Sequence, residues 1–347
     1  MLNSHKQSIK KLANRTIGRF LRGRGCILCL HRVVPEDEKS VLSLPRDLEV
    51  STEFLTKFIE HFQMRGYRFI ALNDLPAFLE SSDSGPVMIL TFDDGYRDNL
   101  DFAFPICEAA GIPMAVYVTS GLIDRTFDPW WHSLQSLIMG RECVFTGEPS
   151  DGDGLRTTTQ DEKERAYQLI YKKVRDAEAT RQQTLEQIWR SNDLNGPPEN
   201  CDLVMTWDEL RQLNESPLVT IGAHTVNHPR LIRCGDDVIK RELVESNIRI
   251  NEELGFTPIH LAYPFGSEND IPVGISDIAN TVGYETAVTT IPRNLEKGDK
   301  GLLFTLPRKF ISDAINDLND QEWRIGGMSV LFDSNRRERL KSVSGFK

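Results

Sequence analysis

The chain has no apolar run near the ~18 residues that a membrane-crossing helix requires, which excludes a helical span. Its N-terminus carries charge but no apolar stretch ahead of a small-residue cleavage site. It is therefore not a secretory signal, and a cytoplasmic protein is expected. Cysteine is sparse, with six residues scattered at Cys26, Cys29, Cys107, Cys143, Cys201 and Cys234. The single CxxC, Cys26 to Cys29, has no second pair to complete a zinc cage. It sits in the apolar run Cys26-Ile27-Leu28-Cys29-Leu30, so buried free thiols are expected. Positive charge is in deficit too: a formal net charge of −10 argues against nucleic acid as a partner. That deficit is reversed locally. Residues 1–24 contain no Asp or Glu, but carry Lys6, Lys10, Lys11, Arg15, Arg19, Arg22 and Arg24 among Ile9, Leu12, Ile17, Phe20 and Leu21. This basic amphipathic segment predicts a helix that packs on the protein surface or makes peripheral contact with an anionic membrane, at its inner face. Histidine is scarce, with seven in all and none after His260.

What is present is an alternation of strand and helix patterns over a length sufficient for a large core. Strands are predicted at 26–33, 67–70, 87–92, 114–119, 218–223, 259–263, 285–290 and 303–311. Val87-Met88-Ile89-Leu90-Thr91-Phe92 is apolar on both faces apart from one threonine, as a parallel strand buried on both sides would be. Helices are predicted at 52–65 with Ser51 as cap, 73–80, 98–110 with Pro105 inside it, 237–254 closed by Gly255, and near 272–282. Thr206-Trp207-Asp208-Glu209 reads as a capping box opening another. The alternation lapses over about 121–205, where an aromatic patch, a Gly/Asp-rich loop and a polar helical stretch at 160–192 indicate an insertion. The expected organisation is thus a basic segment 1–24, an α/β domain 25–315 interrupted at 121–205, and a helical tail 316–347. About seven strand–helix units predict a (β/α) barrel, in which reactive side chains lie where strands end.

Three strand ends meet that rule. The strand 87–92 runs into Asp93-Asp94-Gly95, and two adjacent carboxylates after an apolar strand are costly without a task. A helix cap would account for one of them, but Asp98 and Asn99 stand nearer the following helix. The strand 218–223 runs into His224-Thr225-Val226-Asn227-His228, whose two histidines can converge on one metal ion. The third strand end, Tyr263-Pro264-Phe265-Gly266, offers a pocket wall. Two histidines and a carboxylate form a common catalytic zinc shell, and a neighbouring carboxylate can then act as base on water.

Together, TFDDG at 91–95, the HxxxH at 224–228 with Thr225 after its first histidine, and the YPFG turn at 263–266 resemble the polysaccharide deacetylase family, the NodB-like carbohydrate esterases. The resemblance spans about 26–311. It implies a distorted (β/α) barrel and hydrolytic N-deacetylation of an N-acetylated sugar, with a divalent metal, most often zinc, as cofactor. It further implies Asp93 as general base, and Asp94, His224 and His228 as metal ligands. The Phe265 N–H would be an oxyanion donor in a turn shaped by Pro264 and Gly266. Two departures stand out. Ala262 occupies the position of the family's arginine beside the base, and Arg308 in Leu306-Pro307-Arg308 is the candidate to replace it. The late Leu-x-His motif that supplies the acid is missing, and His31, ending the first strand, is the candidate acid, as in circularly permuted branches of the family. His132 is a candidate lining residue. Two other readings remain open: hydrolysis of a non-sugar amide on the same fold, and a catalytically silent glycan-binding protein.

Overall fold

The computed structural model describes residues 22–83, 85–148, 152–198, 202–315 and 317–326. Most of the basic segment 1–24, Cys201 and the tail beyond 326 lie outside the described residues. Among those described, no helix is long and apolar enough to cross a membrane.

Seven parallel strands form the barrel: β1 Gly25–Leu30, β2 Val87–Phe92, β3 Met114–Val118, β4 Val219–Ala223, β5 His260–Ala262, β6 Thr286–Val288 and β7 Arg308–Phe310. They lie side by side in chain order from β1 to β6, and β7 returns to pair with β1. The ring is nearly closed, because Leu306, just ahead of β7, bridges in parallel to Val288 of β6. The expected distorted (β/α) barrel is thus observed. A short strand, Arg68–Phe69, pairs with the lower half of β2.

The strands alternate their side chains between two cores. Cys26, Leu28, Leu30, Met88, Leu90, Phe92, Met114, Val116 and Val118 face the surrounding helices. Ile27, Ile89, Ala115, Tyr117, Ala262, Val288 and Leu306 belong to a second, smaller cluster that fills the barrel. Leu72, Leu75, Phe78 and Leu79 plug its lower end. Counting in twos from Ile27 and Ile89 places Cys29, Thr91 and Asp93 on the inner side, at the upper mouth.

The helices that matter here are α1 Thr52–Met64, α2 Trp130–Met139, α3 Gln160–Asp176, α4 Arg181–Ser191, α5 Trp207–Asn214 and α6 Asp236–Leu254. Ser51 caps α1, and the capping box of Thr206 and Glu209 opens α5. Helices α2, α3 and α4 belong to the long connection between β3 and β4.

Five local expectations are corrected. The first strand stops at Leu30, not 33, because Arg32–Val34 pairs instead with Glu49–Ser51 while Asp98 takes the Val33 N–H and the Arg32 guanidinium. Asp98 therefore does not cap the next helix. That helix begins as a wide π turn, Asn99–Ala103, before Phe104–Ala109, a change that accommodates Pro105 without an N–H to donate. The polar stretch 160–192 breaks at a short 3₁₀ turn, Glu178–Thr180. The last strand shrinks from 303–311 to three residues.

Gly222 of β4 approaches Tyr117 of β3 so closely that an added Cβ would lie 2.5 Å from the ring. Gly222→Ala should destabilise the fold by about 1–3 kcal/mol through overpacking, read by chemical denaturation. An unchanged midpoint would show that the tyrosine can turn aside.

Candidate active site

The upper mouth gathers backbone strain as well as side chains. Among the described residues, the non-glycine positions with positive φ are Asp94, Thr225, His228 and Phe265, together with Arg125 and Asp193. Four of these six fall in the three strand-end motifs, and such strain persists where the surroundings enforce it. After β2, Asp93 still pairs its N–H with Leu30. Asp94 (φ 76°) and Gly95 (φ 82°) then turn the chain, so the two carboxylates diverge.

Arg308 is fully buried and grips Asp93 with both arms, Nη1 to Oδ1 at 2.6 Å and Nη2 to Oδ2 at 2.7 Å. Two further donors, Nη1 and Nε, go to Thr91 Oγ1 (3.1 Å) and the Thr289 carbonyl (3.1 Å). The Cys29 thiol donates to Asp93 Oδ2 at 3.6 Å. Burial alone would raise the Asp93 pKa. The Arg308 charge and its hydrogen bonds outweigh burial and hold the carboxyl below the usual carboxylate range.

Asp94 has the opposite environment. Burial and then the neighbouring Asp93 charge push its carboxyl up to about 8. Its Oδ1 is buried with no hydrogen-bond partner, 3.6 Å from His224 Nε2 and 3.5 Å from His228 Nε2. His224 Nδ1 lies 2.7 Å from the Ala262 carbonyl, which fixes the proton on Nδ1 and leaves Nε2 as a lone pair. Burial lowers both imidazoles, His228 furthest with His224 beside it, so both rest neutral. A carboxylate oxygen and a lone-pair nitrogen facing each other at this distance call for a cation between them. The spacing also matches the ~3.4 Å edge of a tetrahedron with ~2.1 Å bonds. Asp94, His224 and His228 therefore fit a divalent metal ion.

Glu242 on α6 holds the histidine loop in place. Its carboxylate accepts from the Val226 and Asn227 N–H groups, each at 2.9 Å, and from Asn227 Nδ2 at 2.8 Å. Sequence reasoning passed over it, although an acid three residues after buried Ile239, on the apolar face of α6, was the available signal. Cys29 and Thr91 were passed over because only strand parity reveals them.

The structure brings His31 to the same pocket, half-buried, stacked on Phe310 at 5.8 Å, with Nδ1 buried and unpartnered. Burial lowers its pKa to about 4. Phe265 packs 4.9 Å from His228, and Gly266 (φ 67°) tightens the turn with its N–H on the Pro264 carbonyl. Tyr263 is placed elsewhere: it is buried in the outer core with its hydroxyl on the Phe304 carbonyl, because its position in the strand points it away from the mouth. His132 is not a lining residue either. It is buried, with its ring against Tyr96 and its Nε2 3.0 Å from the tyrosine hydroxyl. Its neighbour Trp131 reaches the pocket instead, 5.3 Å from His228.

Removing one partner of a buried ion pair strands the other charge. Arg308→Met should cost about 3–5 kcal/mol in denaturant unfolding. Arg308→Met with Asp93→Asn should recover much of that loss, and a double variant no more stable than the single one would contradict the unpaired carboxylate as the cause.

Comparison with known proteins places this site in context. Residues 80–287, more than half of the chain, match the family model described as polysaccharide deacetylase. No curated protein sequence matches the chain. Among solved structures, the Streptococcus pyogenes deacetylase PplD in complex with acetate superposes with a TM-score of 0.56 at 18% identity, over 86% of this chain and 97% of that one. IcaB from Ammonifex degensii gives 0.56 at 15% identity over 88% and 98%, and a de-N-acetylase from Aggregatibacter actinomycetemcomitans 0.55 at 15% over 86% and 98%. These likenesses show a shared fold. With the match over 80–287, which contains both the Asp93-Asp94 pair and the two histidines, the chain belongs to the polysaccharide deacetylase family.

Proposed function

We propose that the protein is a metal-dependent hydrolase that removes the acetyl group from an N-acetylated sugar of a glycan or glycan precursor. The observation that carries this reading is the unpartnered Asp94 Oδ1 facing two histidine Nε2 atoms, beside a second carboxylate kept ionised by Arg308. Asp94, His224 and His228 would hold the ion, most often zinc in such a donor set. When bound, it would polarise the acetyl carbonyl and lower the pKa of water.

Asp93 takes a proton from the attacking water. Arg308 engages both of its oxygens and the Cys29 thiol makes a further, longer contact to Oδ2, which leaves Oδ1 with a lone pair to accept the proton. Arg308 acts as a positioning residue that fixes the carboxylate plane and charge. The Phe265 N–H, projected by the strained turn between Pro264 and Gly266, donates to the oxygen on which charge develops. His31, which lies within 4.8 Å of both Asp93 and the Cys29 thiol, relays a proton to the departing amine.

The first test is elemental analysis of the purified protein. Wild type should carry about one zinc-like ion per chain, in line with a single three-donor shell, and Asp94→Ala should lose it. Asp93→Asn should keep the metal while acetate release from N-acetylated sugars stops. His31→Ala should slow release by about 10²–10⁴-fold with metal content unchanged. No stoichiometric metal in wild type, even after adding zinc, would sink the metallohydrolase reading.

A further inference from the structure

The pocket above the site is walled along one side. Its volume is about 280 Å³, at the small end of ligand pockets, which run roughly 300–1,000 Å³. A through-running groove for a polymer needs two open ends, and here one side is sealed by bonds between segments distant in sequence. The loop after β1 forms a strap, with Leu44, Pro45, Asp47 and Leu48 lining the pocket. It is tied to α3 of the β3–β4 connection. Glu164 accepts from the Ser43 N–H at 2.9 Å and from the Ser43 hydroxyl, and Gln160 Nε2 donates to the Val41 carbonyl at 2.8 Å. One turn and two turns beyond Glu164, Tyr167 and Tyr171 continue this wall.

The same connection is tied at its other end to the strand-end loops. Arg230, just past His228, donates its N–H to Glu178 at 2.9 Å and its Nε to Asp270 at 2.8 Å, with Nη1 3.3 Å from Asp176. Both Arg230 and Asp270 are buried, and Asp270 lines the pocket. The wall is therefore continuous from the strap through α3 to the loops after β4 and β5. Exposed Leu44, Asp47 and Phe310 mark the mouth.

From this we infer that the site takes a single chain-terminal N-acetylated sugar, inserted end-on, and not an internal residue of a threaded polymer. The inference rests on the deacetylase reading above. The strap is the specificity-determining element: it abuts the terminal ring where a preceding or following sugar would have to continue.

The test uses the full chain with added zinc and N-acetylglucosamine oligomers of graded length, with acetate release measured and free amines located by mass spectrometry. Wild type should free an amine at one chain end only, at a rate that follows the concentration of ends and not of residues. Amines appearing at internal residues of wild-type product would overturn the inference while leaving the deacetylase reading intact. Gln160→Ala with Glu164→Ala, the first exposed and the second half-buried, should open the wall and lower the terminal preference at least about tenfold, whereas Glu164→Gln should retain it. A double variant as terminal-specific as wild type would also overturn the inference. No acetate from any N-acetylated sugar, with metal bound, would overturn the deacetylase reading and this inference with it.

Discussion

The upper mouth of this barrel is organised around one ion pair, Arg308 with Asp93, both removed from water. Burying two charges costs several kcal/mol for each, and only good geometry with all remaining donors satisfied offsets that cost. The geometry here is good: two parallel N–H···O bonds, with two further donors of Arg308 on Thr91 and the Thr289 carbonyl. The pair also joins the two ends of the fold. Arg308 opens β7, the last barrel strand, and Asp93 follows β2, with β1 between them. Closure of the ring and assembly of the base are thus one event, and the base cannot be set until the final strand has docked.

That pair decides the fate of the second carboxylate. With Asp93 held ionised, Asp94 one residue away experiences burial and a fixed negative neighbour, and its carboxyl rises to about 8. Two adjacent acids with pKa values driven apart are a common way to divide base and ligand roles within one site. The division depends on the turn at Asp94 and Gly95, which aims one carboxylate at Arg308 and the other at two neutral imidazoles. The Ala262 carbonyl completes the arrangement by fixing the His224 tautomer. A cation at the three-donor cluster would neutralise the charge that otherwise favours protonation of Asp94, so metal affinity should be coupled to loss of that proton.

The barrel was legible because β1 to β4 are largely apolar runs, and the polar residues that stop β2 and β4 are the core of the site. Asp93, Asp94, His224 and His228 therefore stand out in the sequence itself. Boundaries were less legible where tertiary bonds overrode local pattern. Val33 is apolar enough to extend β1, yet Asp98 draws its N–H into a separate ribbon. Tyr263 was placed at the pocket wall because motif neighbours were treated as sharing a direction, whereas alternate residues of an extended segment face opposite ways. His132 was misplaced for a related reason: it and Trp131 are adjacent on a helix and point about 100° apart, so only one of them can reach His228. Glu242 was harder to see because two of its three bonds are to backbone N–H groups, and only its place on the apolar face of α6 marks it.

The departures from the family pattern follow from the geometry of a closed ring. Inward side chains of all seven strands converge on one axis, so a charge required there can come from any strand whose position offers length and room. Ala262 fills little of the space beneath the mouth, and the guanidinium arriving from β7 lies over the Tyr117 ring at 5.6 Å and spans the gap. The same reasoning applies to the acid. A histidine at the end of β1 and one at the end of a late strand beside β1 face the same carboxylate from neighbouring positions, and His31 is within reach of Asp93 without any late histidine in the chain. Motif order along the sequence is then a weak constraint, while position around the ring is a strong one, and a residue missing from its usual motif is first to be sought on the adjacent strand.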